Sequence, residues 1–175
     1  MNGRKVICFD NVKIKKINDM IDKGIHPYPY KFERQHMISD VKEKFMEVGH
    51  DKSKERVVIA GRIYRIRYHG RVIFVDIKDQ SGKIQLYLRL NHVGEDKFNF
   101  FRDYIDTGDI IGVEGYVFRT KMGEITIWVD DFILLAKSLC PMPEKFHGLR
   151  DTEKRYRQRY LDLIVNEDVK YTFIV

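Results

Sequence analysis

The chain has 175 residues, of which 43% are hydrophobic and 13% are aromatic, and it carries a formal net charge of +6. This apolar content predicts one folded core and excludes a disordered chain, and the positive charge suits a polyanionic partner without identifying one. No run of about 18 apolar residues could span a bilayer, and the apolar run at 6–9 is too short for a signal-peptide core. The sequence therefore predicts a soluble, cytoplasmic protein with no membrane partner.

Residues that could support catalysis or bind a metal are scattered along the chain. Cys8 and Cys140 lie far apart with no metal-ligand spacing around either, which predicts free thiols in a reducing compartment. No two histidines show metal-ligand spacing, and there is neither a phosphate-binding glycine-rich loop nor a nucleophile motif. We therefore expect no catalytic residue, no metal site and no cofactor site in this chain.

The first 54 residues predict a helical extension. Ile14, Ile17 and Ile21 recur at helical spacing among lysines, which favours a short amphipathic helix over 11–23. Its lysines form either a solvated face or a contact to a nucleic-acid backbone. A second helix is predicted from Ser39 or Asp40 to about Val48, with Asp40 and Glu43 forming a capping box.

From Arg56 onward the apolar residues alternate as in β-strands. Turn signals divide this region into five predicted strands, at 56–68, 71–79, 83–89, 109–119 and 124–136. Phe98, Phe101 and Ile105 lie at helical spacing before Gly108, which predicts a helix between the third and fourth strands. Three strands, a helix and two strands is the order of the OB-fold, a five-stranded barrel that commonly binds oligonucleotides.

The predicted fold class is thus an all-β core with flanking helices, a five-stranded OB-fold barrel preceded by N-terminal helices. The expected domains are a helical extension at 1–54, the barrel at 55–137, and a linker with the start of a further domain at 138–175. That last segment has a proline-rich link and then a helix from about Asp151, capped by Asp151 itself, with Tyr156, Tyr160 and Leu163 as its apolar stripe.

Strand alternation also predicts which side chains point away from the barrel core. On the second, third and fifth strands these are Phe74, Asp76, Gln85, Tyr87, Glu124, Thr126 and Trp128. Unstacked RNA bases lie on aromatic rings, and their edges take hydrogen bonds from amides and carboxylates, so Gln85 and Glu124 together could read a uracil. The alternatives are that the N-terminal helices cover Trp128 or Tyr87, and that Glu124 is a solvated acid in a hairpin.

Three arginines, Arg65, Arg67 and Arg71, cluster around the first predicted hairpin. Guanidinium groups there could hold phosphates or stack on further bases. We therefore include all three among the candidate RNA contacts.

The run HGLRDTEKRYRQRYLDLI at 147–164 resembles the segment that joins the anticodon-binding domain of class II lysyl-tRNA synthetases to their catalytic domain. Further pieces are similar to the same family, namely 29–34, VIAGR at 58–62, 70–79, GKIQLY at 82–87, 108–112 and 120–124. The barrel motifs are shared more weakly with aspartyl- and asparaginyl-tRNA synthetases, so they indicate only the subclass. The residues from Lys145 to Ile164, by contrast, resemble the lysyl-tRNA synthetases in particular.

The resemblance implies that the barrel binds the uridine-rich anticodon stem-loop of lysine tRNA. By match to the family's motifs, Phe74 stacks on the central uridine, Gln85 and Glu124 read bases, and Arg67 matches the arginine that precedes the first hairpin. We add Arg65, Arg71, Tyr87 and Trp128 as further candidate RNA contacts.

In that family the polypeptide continues past the position of Val175 into a catalytic domain that uses ATP and Mg, and the parent enzyme is a homodimer. We therefore expect this chain alone not to activate lysine. The alternative is a stand-alone OB protein that binds single-stranded nucleic acid without a linked enzyme. The 147–164 run favours the synthetase, because a general binder has no reason to carry it.

Overall fold

A computed structural model describes residues 10–140, 152–166 and 169. They fall into two compact units, one ending at Cys140 and one after it. The first unit contains two N-terminal helices, five strands and two helices between the third and fourth strands. Its elements are α1 (Asn11–Asp22), α2 (Ile38–Lys44), β1 (Arg56–His69), β2 (Val72–Lys78), β3 (Lys83–Arg89), α3 (Leu90–Val93), α4 (Glu95–Tyr104), β4 (Ile110–Arg119) and β5 (Ile125–Ala136).

The strands close into a barrel in the order β1-β2-β3-β5-β4, with β4 returning to pair with β1. β3 and β5 run parallel and every other pair is antiparallel. Inward residues such as Ile59, Ile73, Leu86, Val113 and Ile127 are fully buried, and each contributes roughly 1.5–3 kcal/mol by leaving water. The predicted fold class, an OB-fold barrel with a helix between strands three and four, is confirmed.

A β-bulge in β1 determines which way its arginines point. The register against β2 shifts between Ile63 and Arg65. Before the bulge the inward residues are odd-numbered, as at Ile59 and Ile63, whereas after it Ile66 packs against the core. One inserted residue reverses the alternation, so Arg65 and Arg67 lie on the outer face beside β2.

α2 is fastened to the turn between β2 and β3. The expected capping box is wrong, because Met37 precedes the helix and makes no side-chain cap. Instead the Ile38 N–H donates to Asp79 Oδ2 at 3.0 Å and the Ser39 N–H to Ser81 Oγ at 2.9 Å. Burial acts to raise the pKa of Asp79, but hydrogen bonds from Ile38, Ser81 and Gly82 hold it below its ordinary value. Two long-range acceptors thus replace the local cap.

α1 directs two of its three lysines toward the barrel. Lys13 is buried and its Nζ donates to the Thr107 carbonyl at 3.2 Å, and Lys16 Nζ lies 2.7 Å from Asp106 Oδ1. The expected apolar face is wrong in part, since Ile21 is 56% exposed. Two of the three lysines therefore form neither a solvated face nor a surface that is free for nucleic acid.

A buried ion cluster joins the end of β5 to the loop before β4. The fully buried Lys137 Nζ lies 2.5 Å from Asp106 Oδ2 and 2.6 Å from Asp109 Oδ2. Burial acts to raise the pKa of Asp106, but hydrogen bonds from Lys137 and Lys16 hold it below the ordinary value of 3.8. Because Lys16 belongs to α1, the cluster also fixes the N-terminal helix to the barrel.

The second unit contains α5 (Thr152–Arg157) and α6 (Arg159–Val165), which are interrupted at Gln158. The expected cap, Asp151, lies outside the described residues. The expected apolar stripe is wrong in part, since Tyr156 is 71% and Tyr160 is 55% exposed, whereas Leu163 is partly buried. Asp162 is the buried group instead, and it accepts hydrogen bonds from Arg155, Arg159 and Asn166.

Candidate nucleic-acid interface

Strand register aligns the predicted site residues in two neighbouring rows across the outer face of β2, β3 and β5. In one row Asp76 pairs with Gln85, and Gln85 pairs with Thr126. In the other, Phe74 pairs with Tyr87, and Tyr87 pairs with Trp128. The first row is polar and the second aromatic, which is the combination that reads base edges and stacks base faces.

The aromatic row extends further than the sequence predicted. Ring centroids lie 5.3 Å apart for Phe74 and Tyr87 and 4.8 Å apart for Tyr87 and Trp128. His69 adds an edge contact to Phe74 at 5.8 Å, and Phe118 contacts Tyr87 at 5.7 Å. Neither His69, the last residue of β1, nor Phe118, near the end of β4, was among the residues that the sequence analysis selected.

Trp128 is partly covered in this structure. The Lys52 Nζ lies 4.1 Å from the ring centroid, so a cation already occupies one face. The indole Nε1 is buried and has no hydrogen-bond partner among the described residues. A base could stack on this face of Trp128 only after Lys52 moves away, and the RNA contact of Trp128 stays a prediction.

A cavity of about 550 Å³ opens beside the polar row. It brings together four of the predicted site residues, namely Arg65, Arg67, Gln85 and Glu124. Arg71 is exposed at the β1–β2 turn and is not among the lining residues. The cavity is also lined by residues that were not predicted to contact RNA, namely Lys42, Asp76, Lys83, Ile84, Arg119, Gly123 and Ile125.

Arg67 is held by an acid on the neighbouring strand. Its Nη1 and Nη2 donate to the two carboxylate oxygens of Asp76 at 3.2 and 3.1 Å, and Lys83 Nζ lies 3.7 Å from the same carboxylate. Asp76 was expected to point outward, yet it is only 4% exposed because these cations cover it. Arg67 therefore forms a rigid wall of the cavity, with its guanidinium oriented by a bidentate pair.

Gln85 and Glu124 present complementary hydrogen-bonding groups. Thr126, which is fully buried, places its hydroxyl within donating distance of Gln85 Oε1, at 3.1 Å. The same hydroxyl lies 3.3 Å from the Glu124 backbone carbonyl, and with Oε1 beside Thr126 the Nε2 donor of Gln85 is left for another partner. The Glu124 carboxylate is exposed and makes no hydrogen bond or ion pair within the part of the chain that the structure describes. The cavity thus offers one donor and one acceptor.

Arg119 fixes the turn that carries Glu124. Its Nε donates to the Val48 carbonyl at 3.0 Å and its Nη1 to the Gly123 carbonyl at 2.8 Å, and its Nη2 contacts the Met46 carbonyl. The connection after α2 and the β4–β5 turn are therefore tied to one side chain. Sequence reasoning had no signal for this contact, since its partners are backbone carbonyls more than 70 residues away on one side.

The described residues were compared with the patterns expected of a metal site and of a membrane-spanning helix. There is no group of three or more histidine, cysteine, aspartate or glutamate side chains suited to a metal ion among them. None of the helices described is long and apolar enough to cross a membrane. Cys140 is a free, partly buried thiol, and Cys8 lies outside the described residues.

Comparison with known proteins agrees with this geometry. Residues 57–135 match the family described as the OB-fold nucleic acid binding domain tRNA_anti-codon. The chain is 57% identical to the lysine–tRNA ligase of Methanoculleus marisnigri, over 95% of this chain and 33% of that protein. It is 50% identical to the lysine–tRNA ligase of Methanospirillum hungatei, over 99% of this chain and 34% of the relative.

The chain belongs to the lysine–tRNA ligase family. A relative from Thermotoga maritima, also named a lysine–tRNA ligase, is 42% identical over 91% of this chain and 32% of its own length. The chain spans about a third of the length of the curated relatives it matches. Residues 57–135, which match the OB-fold nucleic acid binding domain, contain the aromatic row and every lining residue of the cavity except Lys42.

Proposed function

We propose that this region binds the anticodon of lysine tRNA and reads a uridine in the cavity beside Phe74. The observation that carries the proposal is the convergence of Gln85 and Glu124 on one cavity, with the aromatic row alongside. The relatives' name, lysine–tRNA ligase, supports lysine tRNA as the partner.

The hydrogen-bonding groups suit uridine better than cytidine. Uridine carries an N–H donor at N3 between two carbonyl acceptors, so N3–H can donate to Glu124 while a carbonyl accepts from Gln85 Nε2. Cytidine presents an acceptor at N3 and an amino donor at C4. Its edge would place a lone pair against the carboxylate and a donor against a donor, and each unpaired group in a desolvated site weakens binding.

Phe74 supplies stacking energy that does not depend on sequence. It is half-buried among His69 and Tyr87, so one edge of the ring is braced and the rest is available to a base. A stacked base contributes about 1–3 kcal/mol. Stacking therefore provides affinity, and the choice of base falls to Gln85 and Glu124.

The wider activity is part of the same proposal. The full-length protein would attach lysine to tRNA with ATP and Mg, as a cytoplasmic homodimer, and this region would deliver the anticodon. The relatives' name and the identity over nearly the whole of this chain support the attachment of lysine to tRNA. The use of ATP and Mg, the homodimer and the cytoplasmic location are what the resemblance to lysyl-tRNA synthetases implies.

The test is binding of this chain to a lysine-tRNA anticodon stem-loop, compared with the same stem-loop carrying cytidine at the central anticodon base, at two salt concentrations. We expect a clear preference for uridine that persists at the higher salt concentration. Equal and strongly salt-dependent binding of both would refute anticodon reading. It would identify a general single-strand binder that holds only phosphates.

Replacing Thr126 with valine should weaken the preference for uridine by about three- to tenfold, the value of a neutral hydrogen bond. Valine keeps the buried shape but removes the hydroxyl beside Gln85 Oε1. The amide can then turn its oxygen to the cavity and accept from cytidine. The measurement is the ratio of dissociation constants for the two stem-loops, and a ratio equal to that of the parent chain would contradict the orienting role of Thr126.

A further inference from the structure

The basic residues of the cavity differ in how their charges are used. Arg67 and Lys83 lie against Asp76, and Arg119 donates to three backbone carbonyls. Lys42 also lines the cavity, is exposed, and makes no hydrogen bond or ion pair with any residue that the structure describes. Its charge is therefore available to an external anion.

Lys42 is presented by a fixed backbone. Its neighbour Val41 is 1% exposed and Ile38 is fully buried, so the inner side of α2 packs into the core of the unit. The first turn of α2 is fastened by Asp79 and Ser81, which follow β2 directly. The helix therefore holds Lys42 in the lining of the cavity that Gln85 and Glu124 also line.

We propose that Lys42 binds a backbone phosphate of the RNA whose base lies between Gln85 and Glu124, so that α2 forms the phosphate-side wall of the pocket. The inference rests on the proposed function, because it uses the same cavity. Lys42 and Glu124 line one cavity without pairing with each other, which leaves the carboxylate for a base edge and the ammonium for a phosphate. A lysine acts on phosphate as a point charge and carries no sequence information.

This role has a signature distinct from base reading. Neutralising one phosphate releases counterions from the RNA, and for a single strand each such contact contributes about −0.7 to the slope of log K against log salt. Loss of Lys42 should therefore weaken binding of every anticodon sequence alike. It should also flatten the salt dependence.

The first experiment compares Lys42→Gln with Lys15→Gln, using the uridine and cytidine stem-loops over a series of salt concentrations. Lys15 is an exposed lysine of α1 outside the cavity, so its variant removes the same charge elsewhere. We expect Lys42→Gln to lose about three- to tenfold in affinity for both stem-loops at low salt, to reduce the slope by about 0.7, and to keep the preference for uridine. Lys15→Gln should match the parent chain.

The second experiment locates the phosphate. Single phosphates of the anticodon loop are replaced by neutral methylphosphonates, and each modified loop is titrated against the parent chain, Lys42→Gln and Lys42→Arg. At one position the parent chain and Lys42→Arg should lose affinity on modification, whereas Lys42→Gln should lose none. If modification lowers the affinity of Lys42→Gln as much as that of the parent chain at every position, the inference is wrong.

The outcomes separate the two proposals. If the parent chain prefers uridine but Lys42→Gln behaves as Lys15→Gln does, the phosphate contact is wrong and anticodon reading stands. If the parent chain shows no preference but Lys42→Gln flattens the salt slope, anticodon reading is wrong and the phosphate contact stands.

Discussion

Replacing Lys137 with methionine is expected to lower the free energy of unfolding of the chain by about 3–5 kcal/mol, the usual result of removing one partner from a buried ion pair. Lys137 and Asp109 are fully buried, and Asp109 Oδ2 lies 2.6 Å from the ammonium. Methionine fills the space of the lysine stem but leaves two carboxylates facing each other. Urea denaturation followed by circular dichroism measures the change.

Lys97→Met is the matched control. Lys97 Nζ lies 2.6 Å from Asp131 Oδ1, a similar distance, but both side chains are about half exposed. Water screens that pair, so its loss should cost about 0–1 kcal/mol. Equal destabilisation by the two variants would contradict the account of the buried cluster.

Lowering the pH should reduce the difference in the free energy of unfolding between Lys137→Met and the parent chain. The folded pKa of Asp106 is held below 3.8, so the stability that its carboxylate contributes is present above that pH and is lost as the pH falls through the folded value. At low pH the parent chain therefore loses the stabilising ion pair between Asp106 and Lys137, which the variant lacks at every pH. Repeating the denaturation toward low pH tests this sign.

The barrel could be predicted from the sequence because its information is local. Alternation along β3 gave the buried residues Ile84, Leu86 and Leu88 and left Gln85 and Tyr87 outward, as the structure has them. The predicted and observed bounds of β3 agree at Lys83–Arg89. Period-two patterns persist because one face of each strand must enter the core.

Side-chain partners from distant segments could not be predicted in the same way. The caps of α2 come from Asp79 and Ser81, about 40 residues away, and Lys16 of α1 reaches Asp106 across 90 residues. The β1 bulge depends on the register with β2. Propensity and spacing describe neighbours in sequence, whereas these contacts exist only once the barrel has closed.

The same limit explains what was missed in the candidate site. Gln85 and Glu124 could be proposed from the sequence because alternation predicted them on the outer face and their side chains carry hydrogen-bonding groups, and their base contacts stay predictions. Lys42 lies on a helix 43 residues before Gln85, and only the docking of α2 brings it to the cavity. A residue on a helix that packs beside the barrel, such as Lys42, cannot be assigned to a barrel face from the spacing of residues in the sequence.

Replacing Glu124 with glutamine is expected to weaken binding of the uridine stem-loop by about 1.5–3 kcal/mol, the value of a hydrogen bond to a charged group. Glutamine keeps the length of the side chain but can present an N–H where the carboxylate accepted from N3–H. Cytidine offers a lone pair at N3, so its stem-loop should bind as well as before or better. The two dissociation constants, measured side by side, report the preference directly.

Glu114→Gln serves as the control for this change. Glu114 is an acid of β4 that contacts Arg56 at 3.0 Å and lines a separate cavity, so its variant removes the same charge without touching the proposed pocket. It should keep the preference for uridine. Loss of affinity for both stem-loops alike in Glu124→Gln would mean that the side chain maintains the β4–β5 turn, since loss of an acceptor for N3–H must weaken uridine binding without weakening cytidine binding. An unchanged preference would remove Glu124 from the recognition chemistry and leave selectivity to Gln85.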